Sequence, residues 1–313
     1  MSTGPSSPDR DRRAELLALT GEVRPELHRY CARLMGSVID GEDVVQDTFA
    51  RALAAFDQLE EMPQLRPWLF RVAHNRALDV LRSRALRKSE PIEAASGIAD
   101  EANLDPMEVM MRQEAVETAV SRFAELPLPQ RSVVILKDVL DEPLKDIADL
   151  LNLSVDAVKA HLARGRARLR EVNAQAATLA GTQPVSAAVA RYVALFNQKN
   201  WDGLRALLAD DVKLHQSTYP LRVGAADVGR FFTIYAAFDG VRLAPAWVEG
   251  REVIAVFEKG AGATPSYFMW LEWRDGRISF IRDYRYARYI VDDAKLMLTP
   301  GGEGPGGPSR LLS

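Results

Sequence analysis

Several features that define other classes of protein are scarce or absent in this sequence of 313 residues. It has a single cysteine, Cys31, which excludes an internal disulfide and a zinc site built from cysteines. No apolar run comes near the roughly 18 residues that a membrane span requires. Residues 1–13 lack the apolar core of a secretory signal, and the four histidines show no metal-ligand spacing. We therefore expect a cytoplasmic protein that needs no metal and no cofactor.

Positive and negative charges nearly balance, with 40 Lys plus Arg against 43 Asp plus Glu, but they are segregated along the chain. Residues 40–61 hold seven acids and one base, and residues 66–88 hold seven bases and one acid. Residues 90–117 hold eight acids and one base and are interrupted by Pro and Gly, which is typical of a flexible acidic linker. Residues 159–170 hold five bases and no acid. The local asymmetry, rather than the net charge of −3, indicates a nucleic-acid partner.

The first two charged blocks predict two amphipathic helices. An apolar stripe at 3.6-residue spacing predicts a helix over residues 43–56, whose other face is acidic. On composition alone that face is either a binding surface or a solvated helix start favoured by the helix dipole. A second helix starts at Pro67 and carries along one side a line of residues that could follow a nucleic-acid backbone: Arg71, Asn75, Leu78 and Arg82. Trp68 either stacks on a base or covers the core, which is the commoner role of an aromatic residue.

The last basic block follows the pattern of a helix-turn-helix. A helix over residues 133–139 precedes a short amphipathic helix over 144–151, Asn152 and Leu153 turn the chain, and Ser154 is a favoured N-cap. The next helix buries a stripe made of Val155, Val158, Leu162, Gly165 and Leu169. Gly165 would let a neighbouring helix approach closely, at a cost of about 1 kcal/mol in helix propensity.

The face opposite that stripe combines small and basic residues, which allow a helix to enter a major groove: Asp156, Lys159, Ala160, Ala163 and Arg164, flanked by Arg166, Arg168 and Arg170. An ordinary helical hairpin with a basic surface is the alternative. The agreement of the turn, the cap, the stripe and the basic face favours DNA binding.

Two sets of motifs resemble those of one protein family. The letters DGEDVVQDTF at 40–49 and PWLFRVA at 67–73, with Asn75, Arg76 and Asp79, are similar to the promoter-melting domain of extracytoplasmic-function sigma factors of bacterial RNA polymerase. LP at 126–127, QR at 130–131, AVK at 157–159 and RGR at 164–166 resemble their second domain, which reads the upstream promoter element. The resemblance covers residues 14–172. His161 departs from the serine or arginine that the family often carries there.

The resemblance implies a role for each candidate residue. Core RNA polymerase would be bound by side chains of the first helix: Asp43, Gln46, Asp47 and Phe49. The loop 57–66 and the second helix would hold the single-stranded minus-ten element, through Arg66, Trp68, Arg71, Asn75 and Arg82. The helix-turn-helix would read the minus-thirty-five element as a duplex, through Ser154, Asp156, Lys159, Arg164, Arg166 and Arg168. Core RNA polymerase and promoter DNA are the implied partners; neither a membrane nor a particular anti-sigma protein is indicated.

The C-terminal part changes to aromatic-rich, alternating segments. An amphipathic helix is followed by a second short helix ending at 209–211, and then by strands, among them 268–272 and 278–289 around a hairpin turn at 274–277. This arrangement resembles the SnoaL-like, nuclear-transport-factor-like α+β cone. Such a fold encloses a pocket that could hold a small molecule, and its candidate residues here are His215, Tyr219, Tyr235, Trp247, Trp270 and Asp283.

Two functions remain open for the cone. It is either a regulatory module acting on the sigma domains, or a small-molecule sensor or an isomerase, cyclase or hydrolase fused to a DNA-binding unit. Asp283 is correspondingly either a hydrogen-bonded structural residue or an acid–base catalyst. The alanine-rich linker could extend the preceding helix and couple the cone to it, which favours regulation.

The sequence thus predicts a multidomain protein with two all-α sigma domains, the second a helix-turn-helix, and a C-terminal α+β cone. The expected boundaries are a promoter-melting and core-binding domain at 14–88, an acidic linker at 89–112, a helix-turn-helix domain at 113–172, a linker at 173–184, a SnoaL-like domain at 185–292 and a disordered tail at 293–313. The expected function is that of a transcription initiation factor, not an enzyme, whose activity the cone modulates.

Overall fold

The structure is a computed structural model that describes residues 7–56, 63–89, 120–175, 184–217, 219–260, 262, 264–294 and 296–299. These residues form two compact units, one made of helices and one built on a β-sheet. None of the described helices is long and apolar enough to cross a membrane. Most of the predicted linkers 89–112 and 173–184, most of the tail 293–313 and part of the loop 57–66 lie outside the described residues.

The helical unit contains these described elements in chain order: α1 (Ser7–Met35), α2 (Val38–Phe56), α3 (Leu65–Ser89), a 3-10 turn (Ser121–Glu125), α4 (Leu128–Val134), a π turn (Ile135–Val139), α5 (Leu144–Leu151) and α6 (Val155–Gln175). The helices predicted at 43–56 and from Pro67 are present, but both begin earlier, at Val38 and Leu65. The helix predicted over 133–139 is instead the end of α4 followed by the wider π turn.

One hydrophobic core runs through the whole helical unit. It contains Tyr30 and Leu69 from the first three helices together with Val133 and Val158 from the later ones. The two segments are also tied through Arg131, whose Nη1 donates a hydrogen bond to the carbonyl of Leu34 at 2.7 Å. The segments predicted as separate sigma domains therefore pack together as one unit.

At two positions in this unit a glycine allows two helices to approach closely. A Cβ at Gly41 on α2 would lie 2.5 Å from the Cα of Ala32 on α1. A Cβ at Gly165 on α6 would lie 2.6 Å from Cγ2 of Val134 and 3.2 Å from the carbonyl oxygen of Gln130. The prediction that Gly165 permits a close helix approach is thereby confirmed, and the tight packing offsets its poor helix propensity.

The sheet unit has these described elements: α7 (Ala187–Asn197), α8 (Trp201–Arg205), β1 (Leu208–Gln216), β2 (Arg222–Val223), α9 (Ala225–Ala236), β3 (Arg242–Val248), β4 (Arg251–Phe257), β5 (Tyr267–Arg274), β6 (Arg277–Asp283), α10 (Ile290–Asp293) and β7 (Met297–Leu298). The sheet has the order β2-β1-β6-β5-β4-β3-β7, in which β1 and β6 are parallel and the other pairs antiparallel. Side chains of α7 and α9 and one face of the sheet share a second hydrophobic core. The predicted α+β class is confirmed.

Three predictions for this unit were wrong in detail. The second short helix ends at Arg205, and the residues predicted to end it, 209–211, belong to β1. The last long strand ends at Asp283 rather than 289, because the Asp283 carboxylate accepts a hydrogen bond from the backbone N–H of Arg285 and turns the chain there. The start of the predicted disordered tail contains β7, which pairs with β3. The predicted hairpin turn at 274–277 is confirmed, with positive φ at Asp275 and Gly276 as a tight turn requires.

Candidate nucleic-acid interface

The predicted helix-turn-helix is formed by α5, a short turn and α6. The turn is made by Asn152, which has a left-handed backbone with φ of 54°, and by Leu153, whose N–H bonds to the carbonyl of Ala148 at 2.9 Å. Ser154 Oγ then accepts a hydrogen bond from the N–H of Ala157 at 3.1 Å, which satisfies a free amide at the start of α6. Val155 was predicted to be buried but is 37% exposed, because fewer neighbours cover the stripe at the helix end. Val158, Leu162 and Gly165 are buried as predicted, whereas Leu169 is only partly buried against the core.

The exposed face of α6 carries the predicted duplex-reading residues. Asp156, Lys159 and Arg164 all point to solvent on the side opposite the buried Val158 and Leu162. Lys159 Nζ lies 3.2 Å from the Asp156 carboxylate, and Arg164 donates to His161 Nδ1 at 3.4 Å, so the unusual histidine contacts a candidate DNA-binding side chain. These contacts are exposed and weak, and DNA could replace them at little cost.

Arg166 differs from the other bases of α6 because a carboxylate from another element holds it. Its Nε and Nη2 donate to the two oxygens of Asp138 in the π turn, at 2.9 and 2.5 Å. This hydrogen bonding raises the pKa of Arg166 above its ordinary value. Among the described contacts, Arg168 is paired within its own helix, where it donates to Glu171 at 3.2 Å.

The predicted minus-ten residues lie along α3 but in different surroundings. Asn75 and Arg82 are exposed, whereas Arg66 and Arg71 contact the later part of the helical unit. Trp68 is half-buried, packs against the hydrophobic core with its ring 6.5 Å from that of Phe56, and also lines a cleft beside Arg71. Core packing and an accessible edge are therefore combined in this residue.

The acidic motif of α2 divides into buried and exposed carboxylates. Glu42 is fully buried and pairs with Arg24 of α1 at 2.6 Å, and Asp40 pairs with Arg84 of α3 at 2.7 Å, so these two acids hold the helices together. Asp43 is exposed and Gln46 and Asp47 are half-buried, which leaves them on the outer face as predicted.

Two members of the predicted polymerase-binding set are engaged within the chain. Asp47 accepts hydrogen bonds from Arg76 at 2.8 and 2.5 Å while half of its side chain stays exposed. Phe49 is only 6% exposed and lies under the guanidinium of Arg24, so the structure separates it from the outer face that carries Asp43. The physical reason is its place on the apolar stripe, which also holds Val45.

The cone contains a buried polar cluster around Asp283. Its Oδ2 accepts a hydrogen bond from Gln216 Nε2 at 2.6 Å, and Oδ1 accepts one from the N–H of Arg285 at 3.0 Å. Burial raises the pKa of the Asp283 carboxyl to about 6, and these hydrogen bonds limit the rise. Next to it, the hydroxyls of Tyr235 and Tyr267 are 2.5 Å apart, and burial followed by the Asp283 charge raises the pKa of both.

The predicted pocket set is only partly brought together. Tyr235 and Asp283 belong to the buried cluster, whereas Trp270 projects from the opposite face of the sheet, where it lies 5.5 Å from the guanidinium of Arg251. Tyr219 is exposed, with its ring centroid 4.5 Å from that of Tyr286 and the two rings tilted by 38°, and His215 and Trp247 are half-buried. The sequence analysis did not include Gln216 and Tyr267 in this set. The signal that could have found Gln216 is its pairing with Asp283 across two parallel strands.

Within the described parts of the chain, no group of three or more His, Cys, Asp or Glu side chains could hold a metal ion.

Three family models match the chain in succession: Sigma-70 region 2 over residues 19–87, Sigma-70 region 4 over 118–169 and the SnoaL-like domain over 189–281. The chain is 31% identical over 222 residues to the ECF RNA polymerase sigma factor SigG of Mycobacterium tuberculosis, covering 63% of this chain and 60% of that one. It is 33% identical over 137 residues to the RNA polymerase sigma factor CnrH of Cupriavidus metallidurans, covering 42% and 71%. A crystal structure of the Mycobacterium tuberculosis extracytoplasmic function sigma factor SigJ matches with 20% identity and a TM-score of 0.34, over 88% of this chain and 98% of that one.

The chain belongs to the sigma-70 family of RNA polymerase sigma factors, in its extracytoplasmic-function group, and carries a SnoaL-like domain. It spans 60% of the length of the SigG relative and 71% of the length of CnrH. The relatives named here are sigma factors, and their names describe no enzymatic activity.

Proposed function

We propose that this chain is a transcription initiation factor that binds core RNA polymerase in the cytoplasm and directs it to specific promoters. The observation that supports this most directly is the capped helix α6, whose buried stripe is packed into the unit while Lys159 and Arg164 face solvent. A helix presented in this way can enter a major groove and donate hydrogen bonds to base edges and phosphates. Asp43, Gln46 and Asp47 form the proposed polymerase-binding face, and α3 the proposed minus-ten face.

The double variant Lys159→Ala with Arg164→Ala tests the DNA-reading role. We expect run-off transcription with core polymerase on genomic fragments to fall at least about 30-fold at promoters that the unaltered chain selects, because each lost base contact costs about 1–3 kcal/mol and the variant removes two side chains. Arg191→Ala, at an exposed position of α7, is the control for a change of charge. Equal output from the double variant and the control would contradict the assignment, as would a purified chain that gives core polymerase no start-site selectivity.

We further infer that the cone regulates the sigma unit and has no catalytic role. Both oxygens of Asp283 already accept hydrogen bonds from the protein, and the aromatic residues proposed as a pocket lie on both faces of the sheet. These contacts support a structural function for the cluster. The competing possibility, an isomerase-like or ligand-sensing domain, is favoured by the pKa of about 6 of Asp283 beside the Tyr235 and Tyr267 hydroxyls.

Removal of the cone distinguishes a regulatory role from an independent one. The helical unit has its own hydrophobic core, so a chain that ends near Gly181 is expected to fold. We expect this truncation to change promoter-specific output in run-off transcription severalfold relative to the full chain. Unchanged output in the purified system and in cells would contradict regulation by the cone.

A further inference from the structure

The cone carries a group of exposed aromatic side chains at one end of its sheet. Tyr219 follows β1, Tyr286 follows β6 and Phe238 follows α9, and between 44% and 49% of each residue is exposed. The ring centroids of Tyr219 and Tyr286 are 4.5 Å apart. The guanidinium of Arg285, the neighbour of Tyr286 in sequence, lies 5.3 Å from the ring centroid of Phe238. Three segments that are distant in sequence therefore form one aromatic surface, and exposed patches of this kind mark binding sites.

The polar groups of the aromatic surface favour a partner that is recognised by its shape and its carbonyl groups rather than by charge. Arg285 and Arg288 both pair with Glu258, at 3.7 and 2.8 Å, so their charges are partly balanced within the cone. The tyrosine hydroxyls and the guanidinium remain hydrogen-bond donors. A polyproline II segment is rich in carbonyls that make no internal hydrogen bond, and its prolines pack on aromatic rings. The surface therefore fits an extended, proline-containing segment.

The sequence that follows Thr299 contains a segment of this kind. Residues 300–313 read PGGEGPGGPSRLLS, in which Pro305, Pro308 and Leu311 recur at every third position. A polyproline II helix has about three residues per turn and rises about 3.1 Å per residue. In that conformation the three apolar side chains would share one side over a length of about 19 Å. The segment and the aromatic surface are therefore matched in chemistry.

The register of the sheet places the start of this segment level with the end of β6. The N–H of Thr299 bonds to the carbonyl of Pro245 at 3.3 Å. Pro245 is in the same cross-strand row as Asp283, through the paired residues Ile254 and Met269. Four successive antiparallel pairs separate β7 from β6, so the two strands run in the same direction. The chain therefore leaves Thr299 toward the end of the sheet that carries the aromatic surface.

The distance to be crossed fits the length of the segment. Four strand spacings of about 4.8 Å place Thr299 about 19 Å from β6 across the sheet. Residues 300–305 span about 19 Å in the polyproline II conformation. Pro305 can therefore reach the surface at Tyr286, and Pro308 and Leu311 can follow along it, without a change in any described element.

We propose that residues 300–313 bind across Tyr219, Tyr286 and Phe238, with Pro305 and Pro308 against the rings, as the intramolecular occupant of the aromatic surface. A short tether gives an effective concentration on the order of millimolar, so weak individual contacts are sufficient. A protein that recognises the same rings must first displace this segment. The inference does not depend on the proposed role in transcription, because every residue involved belongs to the cone or follows it.

Trypsin cleavage after Arg310 tests this proposal in the full-length chain. Arg310 is the one Lys or Arg among residues 300–313, and cleavage there releases the tripeptide 311–313. The initial rate of release is measured by mass spectrometry for the chain and for a synthetic peptide of residues 300–313. We expect cleavage to be about tenfold slower in the chain than in the free peptide, because binding withdraws the segment from the protease.

Two ring variants locate the binding site. Phe238→Ser and Tyr286→Ser are each expected to bring the rate to within about twofold of that of the free peptide. Leu86→Ser is the control, because it removes a side chain of α3 that is 66% exposed and lies outside the cone, and it should keep the full protection.

A third variant tests the segment itself. Pro305→Gly with Pro308→Gly, compared with a peptide of the same altered sequence, should also lose protection. It changes no described element, so its result does not depend on the folding of the ring variants.

Four outcomes would overturn the proposal. Equal rates for the unaltered chain and the peptide would show that the segment does not bind. Protection that persists in both ring variants would exclude the aromatic surface as the site, and protection that persists in the proline variant would exclude the prolines as its ligand. Protection that falls on tenfold dilution of the chain would assign the surface to a second copy.

Discussion

Gly41→Ala is expected to lower the free energy of unfolding of the helical unit by about 3 kcal/mol, since overpacking of this kind typically costs about 1–3 kcal/mol and more when backbone must move. The new Cβ would lie 2.5 Å from both the nitrogen and the Cα of Ala32. These are backbone atoms of α1, which cannot turn away as a flexible side chain would. The helices must therefore separate, which weakens the packing around the buried Arg24 and Glu42 pair.

Gly21→Ala provides a matched control for the effect of alanine on helix propensity. Gly21 lies in α1, and no described neighbour comes within 4 Å of a Cβ built there, so the same substitution should stabilise the helix by up to about 1 kcal/mol. Urea unfolding followed by circular dichroism measures both variants, and hydrogen exchange of peptides from α1 and α2 locates the change. Similar stabilities for the two variants would show that α1 and α2 do not cross as closely as described.

Asp283→Asn is expected to flatten the dependence of the cone's stability on pH. The folded pKa of about 6 lies above the ordinary 3.8, so the folded state binds the proton more tightly than the unfolded state. The contribution of Asp283 to stability is fully present below about pH 4 and is lost as pH rises through about 6. Above that it amounts to a penalty on the order of 3 kcal/mol, which the substitution removes because the asparagine amide cannot ionise.

The measurement compares urea unfolding of full-length chains between about pH 4 and 8, followed by tryptophan fluorescence. This interval contains the range between the two pKa values, where the folded and unfolded states differ in proton binding, and the plateau above it. Four of the five tryptophans belong to the cone, so this signal reports mainly on that unit. In Asp283→Asn the side-chain oxygen can still accept a hydrogen bond from the Arg285 N–H. The side-chain NH2 can donate to the Gln216 oxygen once the Gln216 amide has rotated, so the packing is kept. Asp239→Asn is the control, because Asp239 is exposed and pairs only with Lys199 in the described contacts. Parallel curves for Asp283→Asn and the unaltered chain would contradict a raised pKa at Asp283.

The helical unit could be predicted well because its signals are local. The turn, the cap at Ser154 and the stripe through Val158 lie within a few residues of one another, and the close approach at Gly165 follows from its place on that stripe. The first turn of α6 was the exception, since the pattern gives the direction of Val155 but not the number of neighbours that reach it.

The sheet unit could be predicted only in class. In β1 the register against β6 shifts between Leu208 and Lys213, so the alternation of buried and exposed residues that indicates a strand is broken there. Residues 209–211 were therefore predicted to end a helix. Which face a residue such as Trp270 occupies depends on pairing with strands far away in sequence.

No pattern in the sequence predicts the contacts that bring residues of the candidate sites together. Gln216 and Asp283 are 67 residues apart and meet only because β1 and β6 pair in parallel, with these two residues in register. The contact of Arg66 with Glu142 likewise depends on how two helices pack, which the spacing of charges along the chain does not encode.

The pairing of Arg166 with Asp138 has a consequence for how the proposed binding of DNA would respond to salt. Affinity for DNA falls with salt because cationic side chains displace the mobile cations condensed on the phosphates. The slope of log affinity against log salt concentration steepens by roughly 0.9 for each neutralised phosphate. Asp138 acts as an anion fixed to the protein, and Lys159 and Arg168 also have a carboxylate of their own close by. Part of the charge of this helix is therefore balanced before DNA arrives. The salt sensitivity of the chain should consequently be smaller than its number of basic residues would imply.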